Sequence, residues 1–498
     1  MRVGILTFHF VSNAGGVLQC FATQTYLKKC GHEAVVIDYR PEYHTIRYAS
    51  VKNPFRYAFW YWKRFKNRKV LKRILLTAKM FFVCLESNIK QPYREIENSY
   101  SKFIQKNLEL TKKYTSYNKL RSDPPILDAY VTGSDQLWNP DLLDSDFDPA
   151  YFLKFGNKDI TRISYAVSTG KELNDAEIHK LCILSDELSA VSIREYNPRI
   201  VDSLGQDIHV CIDPTLLLDA KDYACIESQE DEAEPYIFVY GFENTSALHD
   251  ALELATEKYH CRVINGSPHR IKLGDSAEKL RNYGPDRFLT LIKNAECVVT
   301  NSFHGTAFSV IYKKDFITVT HSTRGSRMTS LLYHLGLTSR LWGSVDFDFS
   351  GTPDFEEVEK HRVVLRKYAS DFLLLAIEGK SGNDIPHMPD EYTVPKIDFK
   401  GLRKSTRYSN LEQNTSDKQL PELYEDNDHC CGCTACYTVC PVHAISMEPD
   451  EEGFLYPTVD AAKCIRCYRC LSVCAFKADQ EAKGYFIRED IGKQNWEV

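Results

Sequence analysis

Eight cysteines in this chain are spaced as ligands. Cys430, Cys433, Cys436 and Cys440 follow C-x2-C-x2-C-x3-C with Pro441 next, and Cys464, Cys467, Cys470 and Cys474 repeat the run 34 residues later. Thiolates this close on a tight loop can each reach a different iron of a cubane, and a distant fourth ligand ties the two runs together. Structural zinc also uses C-x2-C pairs, but four ligands per zinc explain neither the third C-x2 step nor the closing x3-C-P. The spacing favours [4Fe-4S] chemistry.

Residues 424–480 resemble the bacterial dicluster ferredoxins, in which the fourth Cys of each run serves the other run's cluster. The resemblance implies two [4Fe-4S] clusters, one on Cys430, Cys433, Cys436 and Cys474 and the other on Cys464, Cys467, Cys470 and Cys440. Cys431 fits neither set. The eight cysteines outside this stretch have no paired spacing. Beside iron–sulfur ligands they read as reduced thiols, mostly small core residues, of a cytosolic protein.

A second chemical string is NSFHGTAFS at 301–309, which follows a strand pattern and opens a helical one. His304 then sits where backbone N–H groups point outward, a position suited to an anionic substrate. A lone His is more often a hydrogen-bonded structural residue. Placement at a strand–loop–helix junction makes this one a candidate catalyst.

Two series of elements must hold these groups. Residues 2–8 read as a buried strand, a loop carries Asn13, Gly15 and Gly16, residues 17–29 have helical periodicity, and 34–39 form a second strand. This βαβ opening lacks G-x-G-x-x-G, which argues against a nicotinamide or flavin site and for a doubly wound scaffold with another ligand. Strand patterns return at 127–132, 162–167, 189–193 and 208–212. A second series starts near 235, with strands at 261–265, 297–300 and 316–320 separated by helical patterns at 245–258, 285–294, 305–313 and 326–336. The expected class is α/β: two Rossmann-like halves, at 1–205 and 206–377, with a cleft between them. A proline-bearing linker at 378–423, the small α+β ferredoxin domain and a tail at 481–498 complete the chain.

Bulk properties agree. With 498 residues, 43% hydrophobic and 26% charged, the chain reads as an ordinary multidomain globular protein. A net charge of −6 argues against nucleic acid as a partner. No secretion signal is expected, because MRVGILTF runs straight into a strand, and no apolar run is long enough to span a membrane. Residues 51–85 stand apart: ten Lys or Arg, no Asp or Glu, and seven aromatic residues between Phe55 and Phe65. They read either as a solvated basic helical insertion or as a patch whose cations meet anionic headgroups while its rings sit at the lipid boundary. The expected location is the cytoplasm, with peripheral contact at the inner face of the membrane.

Over residues 1–375 the chain resembles the polysaccharide pyruvyl transferases. The carrying strings are 4–39, GSDQLWNP (133–140), ISYAVSTG (163–170), SIRE (192–195), IDPTLLL (212–218), the segment 284–309 and RGSRMTSLLYHLGL (324–337), in family order. The resemblance implies a GT-B-like architecture and transfer of pyruvate from phosphoenolpyruvate onto two sugar hydroxyls as a cyclic ketal. Such a donor carries phosphate and carboxylate, so its site needs cations, aligned N–H groups, an acid and a base. His304 matches the family's catalytic His and Arg194 its donor-binding Arg. Arg324 and Arg327 open a helix where donor phosphate or an acceptor diphosphate could bind, and Asp135 could orient a sugar hydroxyl or His304. Asn301 and Ser302 flank the His304 loop, and Gly15 and Gly16 permit close approach to ligand. Where the family carries Arg-Leu-His this chain has Ser302, Phe303 and His304, so a donor-binding cation is absent from that position.

The implied partners are a sugar acceptor, on a lipid-diphosphate carrier reached through 51–85, and a redox partner for the clusters. The rival reading is an iron–sulfur redox protein whose α/β region binds a substrate or a flavoprotein, because ketal formation transfers no electrons.

Overall fold

The computed structural model divides into two compact units, Met1–Phe399 and Lys400–Val498. In the first it describes residues 1–44, 53–64, 69–90, 94–144, 146–204, 208–230, 232–268, 271–274, 277–321, 325–386, 388 and 392. In the second it describes 420–423, 430, 434, 436–437, 440, 444–450, 455–461, 463–464 and 469–472. Arg324, Cys433, Cys467 and Cys474, most of the expected linker and the tail lie outside these residues.

The first unit holds two Rossmann-like halves, the first sheet reaching β6 past the expected boundary at residue 205. In chain order the N-terminal half contains β1 (Arg2–Leu6), α1 (Ala14–Lys29), β2 (Glu33–Val36), α2 (Pro54–Arg64), α3 (Val70–Lys90) and α4 (Arg94–Asn107). It continues with β3 (Ala129–Thr132), β4 (Thr161–Val167), α5 (Asp175–Ser185), β5 (Ala190–Ile193) and β6 (Ile208–Val210). The C-terminal half has β7 (Tyr236–Tyr240), α6 (Ser246–Tyr259), β8 (Arg262–Asn265), β9 (Ala277–Lys279), α7 (Pro285–Asn294), β10 (Cys297–Thr300), α8 (Phe303–Ile311), β11 (Asp315–Thr318) and α9 (Ser326–His334). A long helix, α10 (Phe355–Ile377), follows.

Both sheets are parallel, with strand orders β2-β1-β3-β4-β5-β6 and β11-β10-β7-β8-β9. Helices cover their faces, so the strands are near-continuous apolar runs such as YIFVY in β7, buried throughout. Each order reverses once, between β1 and β3 in the first sheet and between β7 and β10 in the second. The loops leaving those strands diverge there and open a crevice at their carboxyl ends.

α1 joins the halves. Asn13 caps it by accepting the Gly16 N–H at 3.3 Å, and Lys28 and Lys29 complement its C-terminal dipole. It is buried from Ala14 to Gln24, wider than one amphipathic face, because it packs against both its own sheet and the helices α7 and α8 of the other half. α10 had no reading in the sequence. It leaves the C-terminal half and packs on β3 and β4, held by Tyr26 Oη donating to Ser370 Oγ at 2.5 Å and by His209 Nδ1 with Tyr368 Oη at 2.7 Å.

In the second unit β12 (Ile445–Pro449) and β13 (Leu455–Val459) pair antiparallel, and a helical turn spans Arg469–Ser472.

Candidate functional site

The two sheet reversals meet at His304. Ser302 is the N-cap of α8, its hydroxyl accepting the Gly305 N–H at 3.3 Å, which fixes His304 in the first turn. Asn301 ties the loops after β7 and β10 together: its Oδ1 accepts the Phe242 N–H at 2.7 Å and its Nδ2 donates to Glu243 O at 2.8 Å. From the other half, Gly15 lies against the imidazole so closely that a Cβ there would stand 2.0 Å from His304 Nδ1. Only glycine lets the ring seat on α1. Gly16 sits one residue further on, where a Cβ would come 3.7 Å from Asp135 Oδ2.

The far nitrogen of the ring, Nε2, faces Asp213 Oδ2 at 3.6 Å, too far for a hydrogen bond. Asp213 is wholly buried. Thr215 donates to its Oδ1 from N at 3.0 Å and from Oγ1 at 2.8 Å, Arg194 Nη1 donates to Oδ2 at 2.8 Å, and the Ser134 hydroxyl lies 3.1 Å from Oδ2. Burial alone would raise its pKa. The His304 ring, Arg194 and the Thr215 N–H outweigh burial and hold it well below the usual carboxylate range.

Arg194 is the cation at the centre, its side chain 1% exposed. Besides Asp213 it faces Asp135 at 3.6 Å and Glu195 at 3.8 Å, and its guanidinium lies 4.5 Å from the centre of the Phe303 ring. Burial disfavours its charge, but Asp213, Asp135 and Glu195 together raise its pKa. Its Nε and Nη2 make no hydrogen bond. Asp135, on the loop after β3, adopts φ 77° and accepts the Gln136 N–H at 2.9 Å on the oxygen that faces Arg194.

Glu195 is the second buried carboxyl. Ser168 Oγ donates to its Oε1 at 2.5 Å, while Oε2 makes no hydrogen bond. Burial raises its pKa, more than Arg194, Arg327, the Ser168 hydroxyl and the Gly170 N–H lower it. Arg327, in the first turn of α9, lines with Arg194, Asp213 and Phe303 a cavity of about 20 Å³, room for about one water. A larger cavity of about 150 Å³ is lined by Phe10, Ser12, Arg40, Glu97, Tyr100 and Gln105.

Of the sequence-derived candidates, the structure brings together His304, Gly15, Arg194 and Asp135 around Asp213, with Arg327 nearby. Asn301 and Ser302 spend their polar atoms on loop and cap hydrogen bonds. Sequence reasoning gave Asp213 and Glu195 no role. Asp213 lay within the IDPTLLL string (212–218) and Glu195 at the end of SIRE (192–195), both quoted for the resemblance without a role for either residue.

The cysteine unit suits iron–sulfur ligation. Cys470 is buried with Leu423, Ile445 and Leu471, and Cys436 and Cys440 pack against that cluster, giving an apolar shell. Ala444 N donates to Cys440 Sγ at 3.2 Å, and Thr434 takes φ 59°, turning the chain within the first cysteine run. Among the described residues no three His, Cys, Asp or Glu side chains converge as a metal site; three of the eight ligand cysteines lie outside them.

Residues 13–323 match the polysaccharide pyruvyl transferase family, and residues 429–478 match the 4Fe-4S dicluster domain. A search of curated proteins returned no significant match. Similar solved structures include UDP-N-acetylglucosamine 2-epimerase from Rickettsia bellii, at 11% identity over 76% of this chain and 97% of that one, TM-score 0.36. The UDP-GlcNAc 2-epimerase of Methanocaldococcus jannaschii, solved with UDP-GlcNAc and UDP, is 14% identical over 79% and 98%, TM-score 0.36. A spinosyn rhamnosyltransferase is 12% identical over 78% and 97%, TM-score 0.32.

Proposed function

The chain belongs to the polysaccharide pyruvyl transferase family, and from that premise we propose that it moves pyruvate from phosphoenolpyruvate onto two hydroxyls of a surface-polysaccharide precursor, closing a cyclic ketal. One observation carries the reading: a titratable ring, His304, is fixed against Gly15 and faces the Asp213 carboxylate where the two sheet reversals meet.

The reaction needs no oxidant. The donor's methylene carbon gains a proton, two hydroxyl oxygens bond to its C2, and phosphate leaves with the second hydroxyl proton. His304 takes a hydroxyl proton, and Asp213, held ionised, stabilises the imidazolium that forms. Glu195, whose burial favours the neutral acid, supplies the proton to carbon. Arg194 sets the field: the donor's carboxylate or phosphate accepts hydrogen bonds from Nε and Nη2, which make none here, once the halves part to admit it. Arg327 adds a second cation in place of the one absent at Ser302, and Asp135 holds the Arg194 guanidinium in register. The 150 Å³ cavity, with aromatic walls and planar polar groups, suits a sugar ring of the acceptor, which we place on a lipid diphosphate.

Two clusters, on Cys430, Cys433, Cys436 and Cys474 and on Cys464, Cys467, Cys470 and Cys440, would supply one-electron transfer, which ketal formation does not use. That mismatch favours a second reading in which the α/β region presents a substrate or flavoprotein partner to the clusters.

Phosphate release, measured anaerobically on the full chain with phosphoenolpyruvate and a lipid-diphosphate-linked oligosaccharide, tests both. His304→Asn should lower release roughly 1,000-fold with little change in Tm. Undiminished release in that variant sinks the assignment, and release that requires a reductant favours the redox reading.

A further inference from the structure

The helical hairpin α2–α3 carries an apolar face that is exposed among the described residues. Eight of the 18 large hydrophobic side chains exposed among the described residues lie on it, and they are between 41 and 76% exposed. On α2, Phe55 and Phe59 are four residues apart and share a face, while Tyr57 and Trp60 turn inward. On α3, Leu71, Leu75 and Phe82 fall on one stripe, flanked by the exposed Lys72 and Lys79.

The hairpin is braced rather than loose. The Phe55 and Phe81 rings meet edge-on with centroids 5.2 Å apart, and Arg73 lies 3.8 Å over the Trp62 ring while its Nε donates to Trp62 O at 2.9 Å. Trp60 Nε1 donates to Asp144 Oδ1 at 3.0 Å and Arg56 pairs with Glu42 at 2.8 Å, fastening the hairpin to the N-terminal half. A face this apolar on a fixed support marks a contact surface.

Charge decides the occupant. Residues 51–85 contain ten cations and no carboxylate. A second copy of the chain would bring the same ten cations to the contact, and like charges would oppose it. An anionic bilayer surface complements both features, with lysines at the phosphate level and Phe55, Phe59 and Phe82 at the acyl boundary. No helix among the described residues is long and apolar enough to cross a membrane. We propose that the α2–α3 hairpin lies on the surface of an anionic phospholipid leaflet and anchors the protein there by its exposed apolar stripe. The proposal deepens the lipid-linked acceptor of the preceding section, but its test uses no substrate and stands or falls separately.

Cosedimentation of the full chain with phosphatidylglycerol-containing vesicles and with pure phosphatidylcholine vesicles provides that test. Binding should be confined to the anionic vesicles and weaken as salt is raised. Phe59→Ser with Phe82→Ser, and separately Leu71→Ser with Leu75→Ser, should each reduce it about tenfold or more, since these side chains are already exposed and their loss leaves no cavity. Unchanged circular dichroism verifies folding. Failure of the wild-type chain to bind anionic vesicles overturns the proposal. So does concentration-dependent dimerisation that both double variants abolish while vesicle binding persists, an outcome that assigns the face to a second copy.

Discussion

The two halves of the first unit share a sheet architecture but contribute different chemistry. From the N-terminal half and the junction after β6 come Arg194 with its counter-charges Asp213 and Asp135, and Glu195, a carboxyl whose pKa burial raises. From the C-terminal half comes His304, in the first turn of α8. In the proposed reaction one half supplies an electrostatic frame and, through Glu195, the proton for carbon, while the other supplies the carrier, the ring that takes the hydroxyl proton. Damage to the frame should cost stability and activity together, whereas damage to the carrier should cost activity alone.

Asp213→Asn is the largest test of that division. It strips the buried Arg194 of its closest counter-charge and should destabilise the protein by about 3–5 kcal/mol while abolishing transfer, read as a fall in Tm beside the unaltered Tm of His304→Asn. Equal Tm in the two variants would erase the distinction between frame and carrier. Gly15→Ala probes the contact between the halves. Its methyl would fall 2.0 Å from His304 Nδ1 and force the ring from its seat, so phosphate release should drop about 100-fold with a smaller loss of stability, roughly 1–3 kcal/mol.

The smallest effect lies in pH dependence, and its sign differs within the frame. The pKa of Asp213 is lowered from an ordinary 3.8, so the stability it contributes is present above 3.8 and is lost as pH falls through its depressed folded value. That of Glu195 is raised from an ordinary 4.5, so its contribution is complete below 4.5 and is lost as pH rises through its folded value. Glu195→Gln should therefore flatten the decline of Tm with pH above 4.5 while leaving the acid limb in place. A Tm profile with an unaltered upper limb would place the Glu195 proton elsewhere.

The sheets were legible because buried parallel strands are apolar runs. Patterns at 297–300 and 316–320 correspond to β10 and β11 within two residues. The iron–sulfur chemistry was legible for a related reason, since its ligands are neighbours in the chain. The frame was not. Asp213 meets Ser134 across 79 residues and Arg194 across 19, and nothing local separates a buried ionised Asp from one that opens a turn before proline. Ser302 is instructive in another way. The position where the resemblance implies a cation serves here as a helix cap, and the charge beside it is the Arg194 guanidinium over Phe303. α10 escaped notice because it carries no chemistry, only an amphipathic pattern beyond the last strand.

That helix bears on how the chain comes to be assembled. The N-terminal half begins with the first residues made, yet its β3–β4 face is covered by Phe355–Ile377, which emerge only after the whole C-terminal half. The C-terminal half is in effect an insertion in the N-terminal one. Synthesis therefore finishes the second half before the first, and the earliest-made sheet waits with one flank bare until the ribosome has passed residue 377.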